Sequence, residues 1–322
     1  MGLISFINAA ILAGTPLLLA TLGEILTEKS GQLNLGVEGM MYMGAIAGLA
    51  GAWYAEKYLA AGVLAALAAL LFSFLAGALG ALIYAFLTIS LRANQNVTGL
   101  TLSIFGTGFA KFFGELLSKR AGGYVACQDA TKAIFARLDQ NPLSEIPILG
   151  KLLFNYNFLV YLAFSIALLL YYYMARTRVG LKLQAVGEDP AAADAAGISV
   201  IRYKYVATIL GGGLCGIGGM YMSMVNQKGI WVPECVAGYG WLAVALVIFA
   251  TWSPLRAIYC AVIFGGLTIL SLYLKIPGLH LQLYGMLPYL VTIFVLIFTS
   301  IRQNKEYMMP KSCGINYFRE ER

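Results

Sequence analysis

Residues 58 to 91 read YLAAGVLAALAALLFSFLAGALGALIYAFLTISL and carry no charged side chain. About 20 apolar residues, at ~1.5 Å of rise each, cross the ~30 Å hydrocarbon core of a bilayer as a helix, so this run spans with length to spare. It is apolar on every face. That excludes the one-sided stripe of a helix on a soluble protein and the ~10-residue polar/apolar alternation of a transmembrane barrel strand. Charge-free runs also cover residues 1–23, 152–175, 205–227, 235–255 and 276–301. With 60% hydrophobic and 11% charged residues, the chain reads as an all-α, polytopic transmembrane helix bundle. Nine segments are expected within a range of eight to ten: 3–22, 36–55, 60–90, 97–118, 154–174, 205–226, 238–252, 256–273 and 285–301. All belong to one membrane domain, 1–322. The third is too long for one upright span, and tilt or a break near Gly77 and Gly80 would absorb the excess. The first stretch lacks a positive n-region and an A-x-A site, so it reads as a retained helix.

The basic residues set an expected orientation. Arg176, Arg178, Lys182, Arg202 and Lys204 lie in 175–204, and Arg302, Lys305, Lys311, Arg319 and Arg322 lie in the tail 302–322. The positive-inside rule puts both in the cytoplasm, and the four spans between them agree. The loop 119–153 and the N-terminus then fall outside, unless EILTEKSGQLNLGVEGM dips into the membrane and returns. Five cysteines form no C-x-x-C pair, and the one histidine, His280, reads as an interfacial residue, so no metal site is expected. The net charge of +7 is spread over loop ends without aromatic clusters, which gives no nucleic-acid signal.

Within the spans, Gly44 with Gly48 and Gly212 with Gly216 place small residues at four-residue spacing. Such positions let helix backbones approach closely in lipid, where packing drives association. The polar exception is GEDPAAADAAG, 187–197. Asp189 can cap a helix, Pro190 suits its first turn, AAADAA has high helix propensity, and Gly197 can take the left-handed conformation that ends it. A helix of about two turns is too short to be stable alone and must dock on something.

Polar groups at membrane depth are costly unless they are paired or line a cavity. EILTEKSGQLNLGVEGMM brings Glu24, Glu28, Lys29, Asn34 and Glu38 next to apolar spans, and a helix broken around Gly36 and Gly39 could offer backbone groups to a solute. Alternatively, Glu28 and Lys29 form an interfacial ion pair and Glu38 sits at a helix start, favoured by its dipole. At RANQNVTGLT, Asn94, Gln95, Asn96, Thr98 and Thr101 could hydrogen-bond a ribose or a base, or could cap the next helix. Trp231 and Trp241 could stack on a base or anchor at the interface, and Lys111 with Glu115 suits an i,i+4 pair. There is no G-x-S-x-G elbow, no H-E-x-x-H and no Walker A sequence. An ion-coupled secondary transporter would be expected to show mid-span ionisable residues and an internal repeat, and neither stands out.

Three blocks carry a resemblance: LTEKSGQLNLGVEGMMYMGA (26–45), AVGEDPAAADAAGISVIRYKYVATILGGGLCGIGGMYM (185–222) and GYGWLAVALVIFATWSPLRAI (238–258). Together they resemble the permease subunits of ABC importers for nucleosides and simple sugars, akin to the ribose and branched-chain amino-acid permeases. The resemblance implies that 187–197 is a cytoplasmic coupling helix seated on an ATPase, with Gly187, Glu188, Asp189, Pro190, Ala193, Asp194 and Gly197 as the coupling residues. It also puts Asn34 and Glu38 along the translocation path, to which the polar cluster adds Asn96 and Thr98. No cofactor is expected in this chain, because ATP and magnesium are used by the partner ATPase. The other implied partners are a second permease, as a hetero- or homodimer, and an extracytoplasmic substrate-binding protein that holds most of the selectivity. The implied place is the bacterial inner membrane, with a nucleoside as cargo. A ribose-like sugar is the alternative, and an ion-coupled secondary transporter the competing mechanism.

Overall fold

The computed structural model describes residues 2–59, 61–136, 150, 154–274, 281–302 and 309–318. The first helices are α1 (Leu3–Glu28), α2 (Val37–Tyr58), α3 (Val63–Ala85), α4 (Gln95–Arg120), α5 (Asp129–Phe135) and α6 (Phe158–Arg176). They are followed by α7 (Arg178–Glu188), α8 (Pro190–Ala195), α9 (Val200–Tyr221), α10 (Tyr239–Phe249), α11 (Pro254–Tyr273) and α12 (Leu281–Arg302). Single π-helical turns extend α3 through Phe86–Ser90 and α9 through Met222–Asn226. Among the described residues there is no strand, only an isolated bridge between Ala126 and Ile230. Among the described residues, six helices are long and apolar enough to cross a membrane: Leu3–Glu28, Val63–Ser90, Gln95–Arg120, Phe158–Arg176, Val200–Asn226 and Pro254–Tyr273. The chain is an all-α, multi-pass membrane protein.

The bundle is built around α9, which packs on α1, α2 and α3. Lipid is as apolar as leucine, so the contacts form where side chains are smallest. A methyl group built on Gly44 of α2 or on Gly77 of α3 would overlap the α9 backbone at Gly216 and Gly212, and one on Gly23 of α1 would overlap Gly211. Large apolar side chains point the other way, as Leu71, Leu79 and Ile104 do, each more than half exposed. Gly77 does not break α3; the helix runs through it, Gly80 packs near Met43, and the π turn carries it on after Ala85.

These contacts also set the helix directions. Gly23 and Pro16 of α1 lie beside Gly211 and Gly218, so α1 runs antiparallel to α9. Met40, Gly44 and Gly48 lie beside Gly212, Gly216 and Met220, so α2 runs parallel to it. The turn from α1 to α2 therefore lies at the end of the bundle that carries α7 and α8, called here the α8 end. Helix α5 and the start of α3 lie at the far end, where Gly62 N–H donates to Thr131 Oγ at 3.0 Å.

Candidate functional site

Helix α1 is buried from Gly14 to Glu28, which turns Glu24 and Glu28 into the bundle. The chain leaves the helix at Lys29, passes Gly31 at φ 84°, and resumes as α2 at Val37. A break is present, but it precedes Gly36; Gly39 lies inside α2, packed on the α4 backbone at Leu102. An unpaired peptide group at this depth costs several kcal/mol, roughly, so the break needs partners. It has them. Gln95 Oε1 accepts from Leu33 N–H at 2.7 Å, Glu24 Oε1 from Asn34 N–H at 3.1 Å, and Asn34 Oδ1 from Gly36 N–H at 2.9 Å. Tyr84 O–H donates to Leu33 O at 2.6 Å, and Ser103 O–H to Leu35 O at 2.8 Å. These backbone groups, which the sequence left open to a solute, are held by side chains.

The segment 227–238 descends from the far end without helix: Cys127 N–H donates to Gly229 O at 2.9 Å and Trp231 N–H to Val125 O at 3.1 Å. Only then does α10 begin, at mid-depth. Met40, two residues beyond Glu38, touches Gly212 of a helix that starts at residue 200, about 18 Å along at ~1.5 Å per residue. Glu38 Oε1 accepts from Gly238 N–H at 2.7 Å and Oε2 from Gly240 N–H at 2.6 Å. Its carboxylate thus satisfies the open donors of a half-helix and faces the positive end of its dipole. The helix start that Glu38 serves is that of α10 as well as of its own α2. At the other end of α10, Glu28 accepts from Trp252 Nε1–H, and midway Thr21 O–H donates to Ala243 O at 3.3 Å. The 11-residue α10 is held at both ends by carboxylates from one short stretch of chain.

At the α8 end, the expected single helix over 187–197 is two. Gly187 and Glu188 close α7, Asp189 is extended, as a residue before proline tends to be, and α8 covers only Pro190–Ala195. The local signals act as expected: Asp189 Oδ1 accepts from Ala192 N–H at 2.9 Å, Pro190 occupies the first turn, and Gly197 has φ 77°. Ala193 faces inward onto Val186 and Val200, while Glu188, Asp189, Ala192, Ala195 and Ala196 are exposed. Gly187 packs directly on the Lys29 carbonyl, which joins this outer corner to the 24–38 break.

In the sequence the tail stands out only by its positive charge. Residues 309–318 form a strap across the α8 end. Ser312 O–H donates to Gly187 O at 2.6 Å, Tyr317 O–H to Asp194 Oδ2 at 2.9 Å, and Asn316 Nδ2–H to Arg92 O at 2.6 Å. Gln95 Nε2–H donates to Asn316 Oδ1 at 3.2 Å, and the Arg92 guanidinium lies 4.6 Å from the Phe318 ring. Burial and the nearby Glu28 and Glu24 push the Cys313 thiol up from its usual range.

Other expectations fare differently. Asn94 caps α4 through Val97 N–H at 3.1 Å, and Thr98 and Thr101 donate to carbonyls one turn back at 2.8 Å. Asn96 is exposed on the same turn, apart from Asn34 and Glu38. Glu28 and Lys29 form no ion pair, because Glu28 turns inward to Trp252. Burial lowers the Lys29 ammonium from its usual range, against the opposing pull of Glu188. Lys111 pairs with Glu234, at 3.5 Å, and not with Glu115, because the descending segment passes beside it. Trp231 is buried against Gly114, whereas Trp241 is partly exposed. His280 lies outside the described residues.

A half-helix that starts at mid-depth and a small capped helix at one end suit a transporter, and comparison with known proteins decides the family. The family model for the branched-chain amino acid transport system / permease component matches residues 6–296. The chain belongs to this permease family. Three relatives are similar over nearly their whole length. A Haloferax volcanii protein, provisionally named as the glucose ABC transporter permease protein TsgC13, is 35% identical over 98% of this chain and 97% of its own. The guanosine ABC transporter permease protein NupQ of Bacillus subtilis is 30% identical, over 98% and 97%. The nucleoside ABC transporter permease protein NupC of Lactococcus lactis is 31% identical, over 95% and 94%. No solved structure gives a significant match. In this permease the 24–38 break and the capped α8 are joined through Gly187.

Proposed function

We propose that this permease forms the path of a binding-protein-dependent ABC importer for nucleosides. The observation that carries the cargo class is the pair of near-full-length relatives named for guanosine and nucleoside transport. In this reading α8 is the coupling helix. The exposed residues on and beside it, Glu188, Asp189, Ala192, Ala195 and Ala196, meet a separate ATPase, which uses ATP and magnesium, while Gly187, Pro190, Ala193, Asp194 and Gly197 fix its shape and seating. Closure of the ATPase pushes on α8, the load passes from Gly187 to the 24–38 break, and from there Glu28 and Glu38 carry it to both ends of α10. The mid-depth start of α10, near Asn34 and Glu38, is where the path opens and closes, and Asn96 and Thr98 lie at its α8-end mouth.

The α8 end is cytoplasmic, together with the C-terminus, in the bacterial inner membrane; Arg176, Arg178, Lys182, Arg202 and Lys311 in its loops and tail support this by the positive-inside rule. A substrate-binding protein delivers cargo at the far end, and a second permease, identical or not, completes the path. Glucose-like cargo is the second reading, favoured by the 35% identity to the glucose-named relative.

The test is uptake of labelled guanosine by cells with and without the gene, with uridine, ribose and glucose as competitors and with ATP depleted while the proton gradient is kept. Uptake lost on deletion and on ATP depletion, and competed by uridine alone, is the expected result. Competition by sugars alone replaces the cargo, and uptake that follows the proton gradient replaces the mechanism. A195R, on the exposed face of α8, is expected to abolish uptake with the permease still inserted; retained uptake removes α8 from the coupling role.

A further inference from the structure

A cavity of about 570 Å³ opens at the α8 end, between the π turn that closes α3, the α8–α9 link and the strap. Its walls include Gln32, Thr88, Arg92, Arg202, Lys204 and Tyr317. Lys204 is 2% exposed, and among the described residues it makes no hydrogen bond and no ion pair. Its Nζ lies beside Gly31, on the inner wall. A buried ammonium without a counter-charge is among the costliest arrangements in a protein, and membrane proteins keep such groups where a ligand or partner supplies the charge.

Against these cations the cavity wall holds a single carboxylate. The one carboxylate in its wall, Asp194, accepts from Tyr317 O–H at 2.9 Å, and Gln32 Oε1 is buried without a partner. The Arg92 guanidinium lies 4.6 Å from the centre of the Phe318 ring, and among the described residues its side chain makes no hydrogen bond and no ion pair. Arg202 is exposed at the mouth. Three cations thus converge on one space, with the Thr88 and Ser199 hydroxyls beside them. A phosphate group matches this set, because its several oxygens accept from guanidinium and ammonium donors at once.

The rim decides which phosphate. Leu91 and Ile201, each 60% exposed, are the chain neighbours of Arg92 and Arg202. A free anion has no use for that surface, whereas two acyl chains do. We propose that this cavity binds the headgroup phosphate of an anionic phospholipid, with Lys204 at its floor, Arg92 and Arg202 at its mouth, and the acyl chains along Leu91 and Ile201. Basic pockets between helices at a membrane face are the common form of such sites. Because Asp194, Gly197 and the strap share its walls, a bound lipid ties the seating of α8 to the composition of the membrane. The binding itself does not depend on which solute the permease carries.

The test is native mass spectrometry of the full-length permease released from nanodiscs of phosphatidylcholine with one-fifth phosphatidylglycerol. The wild type is expected to keep one phosphatidylglycerol. Each exposed arginine contributes about 1 kcal/mol, so R202Q should retain roughly fivefold less, and R92Q–R202Q roughly 25-fold less. K204M, of similar shape, should lose the adduct. R202Q alters only an exposed side chain, so its result stands even if K204M fails to fold. Equal retention by the wild type and R202Q overturns the proposal. Release of the lipid by millimolar inorganic phosphate also overturns it, and reassigns the cavity to a free anion.

Discussion

The contact of α2, α3 and α9 and the cradle of α10 lie side by side in one bundle and are held by opposite means. In the first, Gly44, Gly77, Gly212 and Gly216 bring backbones together with no side chain between them. In the second, a half-helix of 11 residues is gripped by Glu38 at its start and Glu28 at its finish. Dispersion over a wide contact has many small terms, and no single one releases it. A few charge-assisted hydrogen bonds are strong, but they can be exchanged one for another, and groups held that way can have two stable arrangements. The glycine contact therefore serves as the fixed part of the bundle, and the carboxylate cradle as the part that moves.

The largest effect should come from breaking the fixed part. Gly216→Leu puts a branched side chain where Ser73 and Gly77 backbone atoms already lie, and overpacking of this kind costs about 1–3 kcal/mol even where neighbours can yield. Here the neighbours are backbone, so the expected result is loss of the monodisperse peak in detergent size-exclusion chromatography. A normal peak would show that the contact is looser than its geometry indicates.

Next in size is the cradle. Glu38→Ala leaves the Gly238 and Gly240 N–H groups without their acceptor, at roughly 1–3 kcal/mol for each buried group left unsatisfied, and Glu38→Gln keeps one acceptor. The permease should still purify, with Tm lowered more by alanine than by glutamine, and transport should fall in the same order. Equal Tm for both variants would mean that the carboxylate does not hold α10. The smallest effect is local. Asp189→Ala removes one cap, worth ~1 kcal/mol, and should raise hydrogen exchange at Ala192 with little change in global Tm, while Asp189→Asn should behave as the wild type. Faster exchange beyond α8 would show the helix to be coupled more widely than its single cap suggests.

The same contrast explains what the sequence made legible. Spans and the cap of α8 depend on neighbours within a few residues, so charge-free length and the Asp189–Pro190 pair announced them, while glycine spacing marked contact faces without naming their distant partners. The roles of Glu28 and Glu38 depend on partners 200 or more positions away, since Trp252 lies 224 residues beyond Glu28 and Gly238 lies 200 beyond Glu38. No periodicity carries that information. The pairing of Lys29 with Glu28 looked natural because they are adjacent, yet adjacent residues on a helix point in different directions. A signal for α10 was present in CVAGYG: the glycines at 238 and 240 before a short apolar run mark a helix that starts where most spans would be in mid-course. The strap left none, because its hydrogen bonds run from Ser312, Asn316 and Tyr317, residue types equally at home in a solvated tail.

The strap also orders events in time. Ser312 and Tyr317 leave the ribosome only after α12 has been made, so Gly187 and Asp194 wait without these partners while the bundle inserts. The outer corner is thus the last piece to close during biogenesis. A permease still in the hands of the insertion machinery presents an unfinished surface, and one that has been completed carries its own mark of maturity.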